Sequence, residues 1–180
     1  MESKQLLTDL KRKTAFCNKE AKRLLKLNET RLNHKESVHS WSALQCLDHL
    51  NKYGDFYLME MEKAIHASSK PSVKKFSPGF LGNIFAKSMI AQPKTTTMQS
   101  PKNMEPATSS LTKDVINTFL GQQKEFIRLL ELCPQKNLNK IKVKITLSKW
   151  IKLKLGDTLR ITIFHNERHI LQALKAAKMK

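Results

Sequence analysis

The chain has 180 residues, of which 27% are charged and 40% are hydrophobic, and this composition fits a single domain (1–180) that folds around its own core. Its 33 lysines and arginines against 15 aspartates and glutamates give a net charge of +18, which can attract polyanions, although a solvated charged surface is the favoured interpretation. The three cysteines form no pairing motif, and neither a secretory signal nor a spanning apolar run is visible. These features exclude a disulfide framework and predict a cytoplasmic protein with no membrane partner.

Two helices are predicted in the first part of the chain. Apolar residues recur at helical spacing over 6–32, with lysines between them and no interrupting proline or glycine. A second helix begins after Ser42, because Ser42 and Gln45 have the spacing of a capping box, and it runs to about residue 65.

A long irregular connection is predicted over 66–110. It holds five of the six prolines together with clusters of serine and threonine, and it leaves room for one short helix at about 80–90. Such a long connection is unusual inside a compact domain. In a helix bundle it allows two successive helices to run parallel instead of forming a hairpin.

Two more long helices are predicted in the rest of the chain. One spans 110–132 and ends before Pro134, and the other runs from a cap at Ser148 to about residue 177. The strict alternation over 141–147 indicates a short extended stretch, for which no pairing partner is visible. Four long helices without a proper sheet predict an all-α protein, a four-helix bundle.

Histidines are the residues that suggest chemistry. His165 and His169 lie four residues apart in the last predicted helix, so both imidazoles project from one face and can reach one metal ion. His49 lies about 10 Å into the second helix at 1.5 Å per residue. If the second and last helices run antiparallel side by side, the three imidazoles reach one level of the bundle. The alternative is an ordinary interior histidine and two polar residues on a flank.

Two familiar metal chemistries are disfavoured. A zincin peptidase carries its glutamate directly after the first histidine, whereas here Asn166 follows His165 and Glu167 comes one residue later. A ferritin-like di-iron site needs Glu-x-x-His motifs on two helices, and the sequence has none.

Two segments resemble a known family. The stretch Trp41-Ser42-Ala43-Leu44-Gln45-Cys46-Leu47-Asp48-His49-Leu50 resembles the helix-2 signature of the DinB-like family, and 155–174, with its histidine pair and Gln172, resembles the helix-4 signature. These proteins are metal-binding four-helix bundles that include the bacillithiol S-transferases. The resemblance implies an up-down-down-up topology with a long connection between helices 2 and 3. It also implies metal ligation by His49, His165 and His169.

The resemblance further implies a metal-dependent thiol S-transferase, in which one divalent ion (zinc, nickel or iron) activates a small-molecule thiol that attacks an electrophilic substrate. Three imidazoles with an open fourth position are the ligand count of a catalytic site. Tyr53, one turn after His49, and Cys46, one turn before it, are candidate substrate-side residues, with a place in the core as the alternative.

Other functions are left open. A non-enzymatic protein could bind nucleic acid or another polyanion through 136–154, which holds seven lysines and no acid, although lysine lacks the planar fork with which arginine reads bases. A stress-response protein with a purely structural metal is a third hypothesis. A homodimer would use a lysine-poor face, for which the second helix is the candidate.

Overall fold

The computed structural model describes residues 1–90 and 101–179, and most of this part of the chain is helical. The part of the predicted connection from 91 to 100 lies outside the described residues. The helices are α1 (Ser3–Leu24), α2 (Glu29–Asn33), α3 (Ala43–His66), α4 (Phe80–Met89), α5 (Asp114–Leu132) and α6 (Leu155–Ala176), and the strands are β1 (Lys142–Ile145) and β2 (Ser148–Lys154). The prediction of a mainly α-helical protein is confirmed, with a small sheet added.

The capping box predicted for the second long helix is formed. The backbone N–H of Gln45 donates to Ser42 Oγ, and the backbone N–H of Ser42 donates to Gln45 Oε1, both at 3.2 Å. These reciprocal bonds satisfy two donors at the buried start of α3 and fix where the helix begins. The cap therefore sets the depth at which His49 enters the interior.

The four long helices share two clusters of buried side chains. Both α1 and α3 pack against α5 and α6. One cluster joins the first halves of α1 and α6 to the second halves of α3 and α5; its members include Leu10, Met61, Phe126 and Leu159. The other cluster joins the opposite halves; its members include Cys17, Leu47, Phe119 and Ile170. Helices α3 and α6 therefore run in opposite directions, which the alignment of His49 with the histidine pair requires.

The first helix is shorter than the sequence predicted. Helix α1 ends at Leu24, and the remaining residues up to 32 form a turn and the start of the separate helix α2. The side chain of Asn28 accepts a hydrogen bond from the backbone N–H of Arg31 at 2.9 Å and so caps α2. By capping α2, the Asn28 side chain binds a backbone N–H that a continuous first helix would have used for its own hydrogen bonds. This favours two separate helices over one long helix.

The prediction that Ser148 caps the last helix was wrong. Ser148 opens β2, which pairs antiparallel with β1, so the extended stretch has its partner in the residues that directly follow it. Val143 lies opposite Leu153, both side chains are buried, and α6 begins only at Leu155. The alternation of lysine with apolar residues is interrupted at 148–150 and resumes over 151–154 (Ile, Lys, Leu, Lys), and this favours strand over helix.

Gly156 lies in the first turn of α6 beneath the ring of Phe76. A Cβ at this position would lie 2.4 Å from Phe76 Cε2, so the close packing of the ring on the helix requires glycine. Within the predicted connection, α4 forms at 80–89 as expected. No described helix has the length and hydrophobicity needed to cross a bilayer.

Candidate metal centre

Three histidines from two helices meet inside the protein. His49 on α3 and His165 and His169 on α6 have ligand nitrogens that all lie within 4.8 Å of one another. We call these three side chains the histidine centre. His49 is 1% exposed, whereas His165 and His169 lie in the wall of a cavity and are partly accessible. The structure thus brings together the three histidines that the sequence singled out.

Hydrogen bonds fix how two of the rings are oriented. His49 Nδ1 lies 2.7 Å from the carbonyl oxygen of Met104, and a carbonyl can only accept, so this nitrogen carries the proton. His169 Nδ1 lies 2.8 Å from Gln172 Oε1 and donates in the same way. In both rings the proton on Nδ1 leaves the Nε2 lone pair free to face the centre, which is how outer partners orient metal-binding histidines.

The spacing of the nitrogens fits a metal ion. His49 Nε2 and His165 Nε2 are 3.2 Å apart. Two imidazole nitrogens at 2.0–2.1 Å from a tetrahedral zinc ion are separated by about 3.3 Å. The pair is therefore already at the separation that shared coordination of one ion requires.

Burial keeps the three rings neutral. It lowers the pKa of His49, and it lowers the pKa of His165 well below the ordinary value, with further lowering by the neighbouring His169. The pKa of His169 falls to about 3 through burial and then through the nearby His49. Neutral imidazole is the form that donates a lone pair to a metal.

Two aromatic rings enclose the histidine centre. Tyr53 meets the rings of His49 and His165 edge-on, at 4.9 Å between centroids in both cases. Trp41 lies 4.8 Å from the ring of His49 and stacks on His169 at 5.7 Å. Tyr53 therefore stands beside the centre as the sequence predicted, while the role of Trp41 was missed, although the residue opens the motif that contains His49.

Cys46 does not line the cavity, and its position agrees with the alternative of a place in the core. Its side chain is fully buried among apolar residues of the first turns of α3, where Leu44 and Leu47 are also enclosed. Burial raises the pKa of the Cys46 thiol to about 12, so the thiol stays protonated.

The histidine centre opens into a cavity of about 970 Å³. The walls combine aromatic, aliphatic and charged side chains from α3, α4, α6 and the β1–β2 turn; they include Tyr53, Tyr57, Phe85, Thr146, Leu153 and Arg168. Glu167 faces away from this space, since both of its carboxylate oxygens accept from Lys13 Nζ, at 2.9 and 2.6 Å. The pairing agrees with the exclusion of a zincin glutamate.

Arg168 lies in the cavity wall. Its Nη1 donates to the backbone carbonyl of Ser88 at 3.1 Å, and within the described part of the chain no carboxylate pairs with it. Guanidinium has five N–H donors, so most of them stay available to a ligand. Residue spacing does not predict the place of Arg168 in the cavity wall or the contact of the Met104 carbonyl with His49. Both depend on how the long connection folds back over α3 and α6.

A comparison with protein families agrees with this geometry. The sequence model described as the DinB superfamily matches residues 19–173. The chain belongs to the DinB superfamily. The matched region of this superfamily member contains all three histidines of the centre and the whole β1–β2 hairpin. Searches of curated proteins and of solved structures returned no significant match.

Proposed function

We propose that this DinB superfamily protein binds one divalent metal ion through His49, His165 and His169 and acts as a metal-dependent S-transferase for a low-molecular-weight thiol. The observation that carries the proposal is the histidine centre itself. Three neutral imidazoles converge within 4.8 Å beside an open cavity, and two of them, His49 and His165, are at coordination spacing. A structural zinc site is normally closed by four protein ligands, whereas three ligands and access to a cavity favour a catalytic ion.

In the proposed chemistry the role of the metal ion is to activate the thiol. A divalent cation held by these histidines would lower the pKa of a thiol that it contacts, so that the thiol loses its proton to water and is present as a thiolate nucleophile at neutral pH. Zinc, nickel and iron all accept imidazole ligands. The sulfur then forms a bond to the electrophilic carbon of the second substrate, whose leaving group departs with the bonding electrons.

Residues around the centre supply the binding surfaces in this proposal. The ring of Tyr53 packs beside His49 and His165 and keeps bulk water from that side of the centre. Arg168 has donors for a carboxylate on the thiol. The apolar side chains of Phe85 and Leu153 suit an electrophile with a hydrocarbon body.

We also propose that the four long helices form the up-down-down-up bundle of the family in one domain. The distribution of their halves between two core clusters supports this topology. A cytoplasmic location is part of the proposal, because the three cysteines are free and buried and thiol chemistry needs a reducing compartment.

The test is a thiol-transfer assay on protein loaded with a single metal. A panel of thiols with and without carboxylates is reacted with an electrophilic alkyl halide, and loss of free thiol is followed. We expect turnover that disappears with a chelator and in His49→Ala, and that persists in His66→Ala, whose imidazole is exposed at the end of α3. Metal-loaded, folded protein that turns over no thiol in the panel would contradict the S-transferase proposal.

The variant Arg168→Gln tests whether Arg168 binds the carboxylate of the thiol substrate. Because a hydrogen bond to a charged group contributes more than a neutral one, we expect KM for carboxylate-bearing thiols to rise about tenfold or more, while KM for neutral thiols stays unchanged. An equal loss for both classes would contradict the role of Arg168 in binding the carboxylate.

A further inference from the structure

The hairpin formed by β1 and β2 places lysines directly opposite one another. Lys142 lies across from Lys154, and Lys144 lies across from Lys152. Like charges at directly opposed positions of an antiparallel pair destabilise the sheet. We call the segment 142–154 the lysine hairpin.

Of these four lysines, Lys154 has an acidic neighbour in the described chain, since it acts electrostatically on the Asp157 carboxyl, and the other three have none. Lys142, Lys144 and Lys152 form no ion pair with any carboxylate in the described ranges, and Lys154 donates only to the carbonyl of Ser77, at 2.7 Å. The sequence has no acidic residue from 136 to 154. An arrangement that costs stability in the free protein indicates an anionic partner that binds to this face.

Apolar side chains project at the turn end of the same hairpin. Trp150 is 94% exposed, Leu147 is 50% exposed and Ile151 is 41% exposed. Trp150 and Ile151 lie in the irregular part of β2 between the paired residues Ser148 and Lys152, and Leu147 lies in the turn, so all three are beyond the last regular lysine pair. An almost fully exposed tryptophan with two exposed aliphatic neighbours is unusual on a protein surface without a partner.

We propose that the lysine hairpin docks the protein on an anionic lipid bilayer. Trp150 lies two residues beyond Lys152, which places it at most about 7 Å further along the chain at 3.3 Å per residue. Peripheral segments bury their apolar face about 5–10 Å into the boundary between headgroups and acyl chains. The turn can therefore enter this boundary while the lysines stay at the level of the headgroup phosphates.

The apolar turn favours lipid over nucleic acid. A base can stack on Trp150, but Leu147 and Ile151 offer nothing that recognises a base, whereas all three side chains leave water at a bilayer interface. Lysine with its long aliphatic stem suits this boundary, where the ammonium reaches the phosphates. The inference revises the expectation of no membrane partner, which considered only segments that cross a bilayer.

The test is sedimentation of the full chain with vesicles at physiological salt, in the presence of a chelator so that the metal plays no part. Vesicles contain either phosphatidylcholine alone or equal parts of phosphatidylcholine and phosphatidylglycerol. We expect binding only to the second kind. Each lysine at an anionic surface contributes about fivefold to binding, so Lys144→Gln/Lys152→Gln weakens it roughly thirtyfold. Trp150→Ser weakens it on the order of tenfold.

Two matched controls separate the hairpin from general charge and hydrophobicity. Lys22→Gln/Lys26→Gln removes the same charge from exposed positions of α1 and just after it, and Met59→Ser removes an exposed apolar side chain of α3. Both should bind vesicles as the wild type does. Equal losses in hairpin and control variants, or no sedimentation of the wild type, would overturn the proposal. So would binding of an oligonucleotide that depends on these lysines in protein that ignores vesicles.

Discussion

The histidine centre gathers three imidazoles, and the lysine hairpin gathers several ammonium groups. Hydrogen bonds fix the orientation of imidazoles in the centre. In the centre, burial keeps the imidazoles neutral, and the Met104 carbonyl and Gln172 orient two of them. In the hairpin, lysines occupy directly opposed positions on the two strands, and Lys142, Lys144 and Lys152 form no ion pair with any described carboxylate. Neutral, oriented imidazole nitrogens suit a metal ion that is held inside the protein. Exposed ammonium groups suit an extended anionic surface.

The largest effect should come from loading the histidine centre with metal. A ligand that binds only the folded state stabilises it by about 2.7 kcal/mol at a free concentration of about 100 times Kd. For a chain of this size that is a rise in Tm of about 5–10 °C. Differential scanning calorimetry with and without zinc measures this rise, and a similar rise in His165→Ala would show that the ion binds elsewhere.

A smaller effect is expected from the outer partner of His169. Replacing Gln172 by leucine leaves the ligand in place but removes the acceptor that orients it, at 2.8 Å from Nδ1. Such partners typically contribute about 10–100-fold to metal affinity. Competition with a chromophoric chelator measures the change, and Gln135→Leu, an exposed glutamine far from the centre in sequence, serves as the control. Unchanged affinity in Gln172→Leu would contradict the orienting role.

The smallest effect should come from the hairpin. Lys144→Glu replaces a repulsive cross-strand pair with an attractive one, so the free energy of unfolding should rise by up to about 1 kcal/mol, and Tm by about 2–4 °C, while vesicle binding falls. Thermal denaturation checks the first part. In Lys144→Glu/Lys152→Glu the repulsion returns between two acids, and the gain in stability should disappear. A gain that survives in the double variant would point to net charge as the cause.

The meeting of the three histidines could be foreseen because it depends on helical spacing and on the direction of two helices. The Ser42 cap fixed the level of His49, and the four-residue spacing put the other two histidines on one face. The hairpin was not predicted, because Ser148 is also a typical helix cap and no proline or glycine separates 148–154 from the helix that follows.

The residues that complete the candidate site depend on tertiary contacts that no local pattern records. The Met104 carbonyl reaches His49 from a segment 55 positions away, and Arg168 is drawn into the cavity wall by the Ser88 carbonyl of α4. Cys46 shows the opposite case. It lies one helical turn from His49, yet the packing around the start of α3 encloses its thiol in the core.

The most direct test of the account is the metal content of untagged protein, purified without a nickel column, by elemental analysis of the wild type, His165→Ala and His66→Ala. The account predicts about one divalent ion per chain in the wild type and in His66→Ala, and loss of the ion in His165→Ala, since three imidazoles hold it. Folded wild-type protein that contains no metal and takes up none on dialysis against zinc, nickel or iron would contradict the histidine centre as a metal site.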